Sequence, residues 1–297
     1  MTKHRSGHVA LLGRPNVGKS TLLNAVVGEK LSIVTAKPHT TRNRIIGVLN
    51  RPDAQLVFID TPGHARRTGQ VLHRLMARSL RQTLEDADVT VLVIEAHRPS
   101  DDDHELMQMI AANERPAILA LNKIDRLPSR DALLPLLDKL KDYGFAEYVP
   151  ISASKGTNVE ELVATIARLL PEGPPLYPAD FKTDKDERFR AAEVIREKLM
   201  QHLHQEIPYG LAVEIEKMQR GKDGKREIQA VIWIERESHK PIVIGKGGQV
   251  LKRVGREARL ELNELFPERV HLNLWVKLRE HWADNVQELK RLGFDAS

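Results

Sequence analysis

Apolar runs punctuate the first half of the chain, and each stops at a residue able to do chemistry. His8-Val9-Ala10-Leu11-Leu12 ends at Gly13, Leu56-Val57-Phe58-Ile59 at Asp60, residues 89–94 near Glu95, and residues 117–121 at Asn122. Runs without polar alternation fit strands buried on both faces of a mainly parallel sheet. Helical patterns over 20–27, 71–85 and 132–142 fall between them, which predicts a doubly wound α/β domain over residues 1–170. Residues 171–180 contain four prolines and a glycine, so 171–182 reads as a linker. The order then changes. A helix is expected near 188–204 with Ala192, Ile195, Leu199 and Leu203 on one face. Strands follow at 211–218 and 228–235 around a turn at 221–224, then a glycine-rich loop, a helix at 249–265, a strand at 270–277 and a helix at 282–291. Residues 183–297 therefore form an α+β module without internal repeats.

Composition removes several alternatives. The 297 residues are 41% hydrophobic and 29% charged, near the globular norm. No run approaches the ~20 apolar residues of a spanning helix, and the first eight residues lack the apolar core of a signal peptide. Without cysteine there is no disulfide framework, thiol nucleophile or cysteine-bound zinc. A cytoplasmic protein is expected. The net charge of +5 is split almost evenly between the two halves, but residues 240–259 alone hold six basic side chains against Glu257. That window points to a polyanionic partner.

Gly13-Arg14-Pro15-Asn16-Val17-Gly18-Lys19-Ser20 has phosphate-loop spacing and lies between a strand and a helix. Backbone N–H groups of such a loop face phosphate oxygens, Lys19 reaches the β- and γ-phosphates, and the Ser20 hydroxyl binds Mg²⁺. Asp60-Thr61-Pro62-Gly63 follows a strand, where a carboxylate holds Mg²⁺ through water and the Gly63 N–H meets the γ-phosphate. Asn122-Lys123-Ile124-Asp125 selects the base. A buried Asp125 accepts from guanine N1–H and N2–H, a donor pair adenine lacks, while Lys123 packs over the ring. Ser152-Ala153-Ser154-Lys155 supplies a backbone N–H for guanine O6. Together these four motifs specify a GTP site.

In the C-terminal module, Gly245-Lys246-Gly247-Gly248 precedes a helix bearing Lys252, Arg253, Arg256 and Arg259. The setting resembles a type II KH domain, which implies that the small residues admit a sugar-phosphate backbone, that Lys246 adds charge, and that Lys252 and Arg256 are candidate RNA contacts. Ile242, Ile244, Val250 and Val254 are candidates for an apolar floor beneath the bases, with some of the four expected in the core. Aromatic residues are only 4%, which argues against a stacking platform.

The first set of motifs resembles the Era-type GTPases, and the second resembles a type II KH domain; in that order they span nearly the whole chain. The resemblance implies a first-switch threonine that closes over Mg²⁺ and the γ-phosphate. In Pro38-His39-Thr40-Thr41-Arg42 the better match is Thr41, with Thr40 the alternative. It implies a K⁺ ion held by the phosphate-loop asparagine, here Asn16. It also implies slow hydrolysis of GTP to GDP, and binding near the 3′ end of 16S ribosomal RNA during small-subunit maturation. A monomer with peripheral association at the inner membrane surface completes the expectation. His64 departs from the pattern: Ras-like enzymes place a water-orienting glutamine there, and Era-type proteins usually an apolar residue. Two rivals are a tRNA-modifying GTPase, whose relatives use a C-terminal cysteine absent here, and a signalling switch whose second module binds protein or membrane.

Overall fold

The four apolar runs become four strands of one six-stranded sheet. β1 (Arg5–Leu12), β3 (Ala54–Asp60), β4 (Val89–Glu95), β5 (Ala117–Asn122) and β6 (Glu147–Pro150) lie parallel, and β2 (Ile45–Asn50) pairs antiparallel with β3. The order is β2-β3-β1-β4-β5-β6. Val9 to Leu12, Leu56 to Ile59 and Val91 to Ile94 are all fully buried, as two-sided coverage by helices requires. Those helices are α1 (Lys19–Val27), α2 (Val71–Asp86), α3 (Asp101–Ala111), α4 (Leu133–Leu140) and α5 (Val159–Leu169). The phosphate-loop turn, the Asp60 turn and the Asn122 turn leave the sheet at the carboxyl ends of β1, β3 and β5, where doubly wound sheets bind ligands.

The computed structural model describes residues 4–37, 40–63, 71–204, 207–221 and 223–292, and His64 lies outside them. The chain divides into two compact units, with the principal boundary between Asp184 and Lys185. Residues 171–184 thus belong to the first unit and are not a free tether. Gln55, 1% exposed, accepts the Leu176 and Tyr177 N–H groups at 2.6 and 2.9 Å and donates to the Tyr177 carbonyl at 2.8 Å. Val48 N–H donates to the Lys182 carbonyl at 2.8 Å, and Gly47 bridges Thr183. The segment therefore straps the outer edge of β2. Proline suits an edge strap because it needs no ladder donor, and the strap protects an edge otherwise open to pairing. The proline-rich segment that leads to the second unit is laid on the first by long-range bonds to Gln55.

The second unit packs α6 (Glu187–His202) and α8 (Gln249–Leu265) on a sheet of β7 (Leu211–Arg220), β8 (Arg226–Ile234) and β9 (Val270–Leu278), in the order β7-β8-β9. β7 and β8 are antiparallel, β8 and β9 parallel. Alternate residues Ile228, Ala230, Ile232 and Ile234 face Val194, Ile195, Leu199, Val254, Ala258 and Leu262 in one core, so the period of two in the strands meets the helical period in α6 and α8. The short helix α7 (Lys240–Ile244) precedes the glycine loop. Only α9 (Val286–Arg291) is regular helix in the expected 282–291 segment. Asn285 is extended and its side chain caps Gln287 and Glu288 N–H groups, restarting the chain as a new helix. Residues 33–37 and Thr40 also cluster with this second unit: Glu197 Oε1 accepts the Val34 N–H at 2.9 Å, and Arg196 Nη2 donates to the Thr40 carbonyl at 2.5 Å.

Candidate functional site

The phosphate loop owes its shape to close approaches. Gly13 has φ 145°, and a Cβ there would lie 2.3 Å from the Val93 carbonyl oxygen; Gly18 has φ 106°, and its Cβ would strike Asn122 Nδ2 at 2.3 Å. Asn16 is exposed and holds φ 66° without being glycine. Lys19 is 5% exposed and donates to the Gly13 and Arg14 carbonyls, both at 2.9 Å. Burial lowers its pKa to about 8, partly opposed by Asp60. Val17 is wholly buried and its carbonyl accepts from Asn122 Nδ2 at 2.7 Å. Pro15 approaches Gly63 so closely that a Cβ on Gly63 would meet Pro15 N at 2.7 Å.

A cluster of oxygens lies at the start of α1. Ser20 Oγ is 2.7 Å from Asp60 Oδ2 and 2.8 Å from Thr41 Oγ1. Ser32 Oγ also donates to Asp60 Oδ2, at 3.1 Å. Asp60 is fully buried, and its Oδ1 has no hydrogen-bond partner. Burial raises its pKa against the pull of Lys19 and the hydroxyls. Thr41 is thus brought to the cluster, whereas Thr40 Oγ1 turns to the Lys37 carbonyl at 2.6 Å and Thr35 Oγ1 at 2.7 Å. Thr61 is buried and donates to the Leu11 carbonyl at 3.0 Å, and Pro62 is buried beside it. These two hold the turn; Gly63 is its half-exposed end.

On the other side of the loop, Asn122 Oδ1 accepts the Ala153 N–H at 3.0 Å. Asn122 therefore staples the phosphate loop to the 152–155 loop, and the Ala153 N–H that the motif offers to a base is engaged in that staple. Lys123, at φ 64°, reaches the Asn16 carbonyl at 2.6 Å and ion-pairs with Glu95. Ile124 packs on the core and donates its N–H to the Ile151 carbonyl. Asp125 is exposed rather than buried, because it tops a single 3-10 turn after β5. Ser152 Oγ, itself buried, donates to Asp125 Oδ1 at 2.5 Å, and this bond lowers the carboxyl pKa. The carboxylate is exposed and aimed by Ser152. Ser32 on the Asp60 carboxylate and Asp103 on the Arg14 side chain carry no motif signal in the sequence, since each is remote along the chain from the residue it touches.

In the second unit, Gly245, Gly247 and Gly248 all have positive φ (76°, 60° and 78°). Their reasons differ. A Cβ on Gly245 would lie 2.5 Å from Val250 Cγ2, whereas one on Gly247 meets nothing within 4 Å. Lys246, Gly247, Lys252 and Arg256 are exposed. Ile242 is 50% exposed, Ile244 and Val250 are half-buried, and Val254 is core, so Val254 does not belong to an open apolar floor. It points inward because α8 is amphipathic and Val254 shares the face of Ala258 and Leu262. β9 is an edge strand, and its half-buried Leu272, Leu274 and Val276 pack partly against the core.

A family model described as 50S ribosome-binding GTPase matches residues 8–123, and one described as KH domain matches residues 206–283. GTPase Era of Xanthomonas oryzae pv. oryzae is 46% identical over 294 residues, covering 98% of each chain. The chain belongs to the Era GTPases. Era of Stenotrophomonas maltophilia is 46% identical over 99% of each chain. Among solved structures, a variant of Aquifex aeolicus Era bound to GDP·AlF4⁻ is 42% identical with a TM-score of 0.94, covering 97% of this chain and 99% of that one. Era in complex with MgGDPNP and nucleotides 1506–1542 of 16S ribosomal RNA is 42% identical with a TM-score of 0.93, covering 98% and 99%. As an Era-family member the protein is a GTP-binding, GTP-hydrolysing enzyme with a KH RNA-binding domain.

Proposed function

We propose that the protein binds the 3′ region of 16S ribosomal RNA under control of GTP and assists maturation of the small ribosomal subunit. The observation that carries this reading is the likeness along 98% of the chain to Era bound to MgGDPNP and 16S nucleotides. The exposed, side-chain-free Gly247 beside exposed Lys246 agrees with it: open backbone next to a cation accepts sugar-phosphate.

In the first unit, backbone N–H groups of residues 16–20 cradle the phosphates and Lys19 moves its ammonium from the Gly13 and Arg14 carbonyls to phosphate oxygens. Ser20 and Thr41 hold Mg²⁺, with Asp60 acting through water. The residues fit the ion because three hard oxygens converge there and buried Asp60 Oδ1 lacks a partner. When bound, Mg²⁺ neutralises charge on the β- and γ-phosphate oxygens. Gly63 offers its N–H to the γ-phosphate, and Asp125 reads guanine. Asn16 holds K⁺, and the GTPase turns over faster in K⁺ than in Na⁺ at equal ionic strength. Equal turnover in the two salts removes that cation role. His64→Ala then tests whether the residue after Gly63 orients water.

The deciding experiment is RNA affinity of the full chain for a 3′-terminal 16S fragment and for an unrelated single strand of equal length. Preference for the 16S fragment is expected, together with its loss in the double variant Lys246→Asp, Gly247→Asp and unchanged GDP affinity. Equal affinity for both RNAs defeats the proposal. Retained RNA binding in the double variant moves the RNA elsewhere on the chain.

A further inference from the structure

We propose that Asp103 is a positioning residue for GTP binding and turnover, acting on the phosphate loop through Arg14. The proposal rests on the reading of residues 13–20 as the phosphate site. Asp103 lies in the first turn of α3 and is fully buried. Its Oδ2 accepts the Ser100 N–H at 2.9 Å, fixing the carboxylate at the start of the helix. Its Oδ1 accepts Arg14 Nε at 2.7 Å. Arg14 Nη2 donates to the Arg98 carbonyl at 3.2 Å. The guanidinium is therefore held on two sides by one segment, 98–103, and the Arg14 side chain is a tether while its backbone forms the loop.

The tether ends on a functional atom. The carbonyl of Arg14, with that of Gly13, holds Lys19 Nζ. The loop is gripped a second time from the end of β5, where Lys123, paired with Glu95 at the end of β4, reaches the Asn16 carbonyl through Nζ at 2.6 Å. Asn16 needs this grip, because a non-glycine residue at φ 66° persists only where its surroundings hold it. A loop that binds phosphate through its N–H groups has no ladder of its own, and displacement by an ångström can cost about 100-fold in rate. A charge pair anchored on a helix terminus, with one partner wholly buried, fixes such a loop more tightly than surface contacts do.

The test is made on the full-length protein with GDP and GTP as probes. Asp103→Asn keeps an oxygen for the Ser100 N–H and the same shape, and removes the charge facing Arg14. GDP affinity and kcat/KM for GTP should each fall about tenfold. Arg14→Met should give a similar loss, and the double variant should be no worse than either single one, because both break the same link. Asp101→Asn, which removes an exposed carboxylate from the same helical turn and keeps both tether partners, should leave nucleotide affinity unchanged. Wild-type affinity and turnover in Asp103→Asn, or losses that add in the double variant, overturn the proposal. If Asp103→Asn does not fold, Arg14→Met decides alone, since its side chain is partly exposed: wild-type affinity overturns the tether. Lys19→Ala separates the two levels. If it also binds GTP normally, the phosphate-site reading falls and the tether with it; if it loses GTP while Asp103→Asn and Arg14→Met do not, only the tether falls.

Discussion

At the scale of single residues, the structure pre-aims two charges. Asp125 is exposed but fixed by Ser152 Oγ, a bond that favours the carboxylate. Asp125→Asn replaces one acceptor oxygen with a donor, so GTP affinity should drop and xanthosine triphosphate should become the better ligand. Competition binding with both nucleotides checks this, and unchanged GTP preference in a folded variant excludes Asp125 from the base site. Lys19 supplies the second case. Its pKa is pushed down to about 8 by burial, from 10.5. Between these values the folded, nucleotide-free protein has released a proton that the unfolded chain retains, so this group makes stability rise with pH across that window. Polyphosphate reverses the preference by pairing with the ammonium. Nucleotide binding should therefore take up a proton above pH 8 and weaken as pH rises further. Calorimetry in two buffers of different ionisation enthalpy reads the uptake, and none at pH 9 refutes the assignment.

At the scale of elements, residues 171–184 are the instructive case. Proline and glycine mark a break in regular structure, yet they do not say whether the broken segment is loose or laid down on a neighbour. The answer came from Gln55, one buried amide on β3 that meets three backbone groups of the strap. Gln55→Ala leaves those groups without partners, each costing about 1–3 kcal/mol if water cannot reach it. We expect a loss of about 2–4 kcal/mol in urea unfolding of the first unit, with residues 171–184 becoming sensitive to limited proteolysis. Unchanged unfolding and proteolysis would show that the strap is not held by this amide. The glycine loop before α8 carries the same lesson. Its glycines look alike in sequence, but Gly245 is required by close approach to Val250, whereas Gly247 meets no neighbour and is favoured only by its own φ of 60°.

On the scale of the whole molecule, one loop has residues in both units. Thr41 belongs with the phosphate site, while Thr40 and residues 33–37 cluster with the unit that carries the glycine loop. RNA affinity should accordingly differ between the GDP form and the form bound to a non-hydrolysable GTP analogue. Linkage requires RNA to change GTP-analogue affinity, relative to GDP, by the same factor. Fluorescence titrations in both directions measure it. Identical RNA affinities in both nucleotide states would mean two independent binding modules on one chain.

The sequence determined by itself what depends on local residue type. Uninterrupted apolar runs set the buried strands, motif spacing set the nucleotide class, and the Gly-x-x-Gly segment between apolar patterns marked the second module. These are legible because strand burial, phosphate-loop turns and helix periodicity are written over a few neighbouring residues. What joins distant residues was decided only by the fold. It placed Val254 in the core, laid the proline-rich segment along the edge of β2, and brought Asp103 to Arg14 across 89 positions. Such pairings depend on the order of strands in the sheet, and a contact between remote elements leaves no periodic trace in either one.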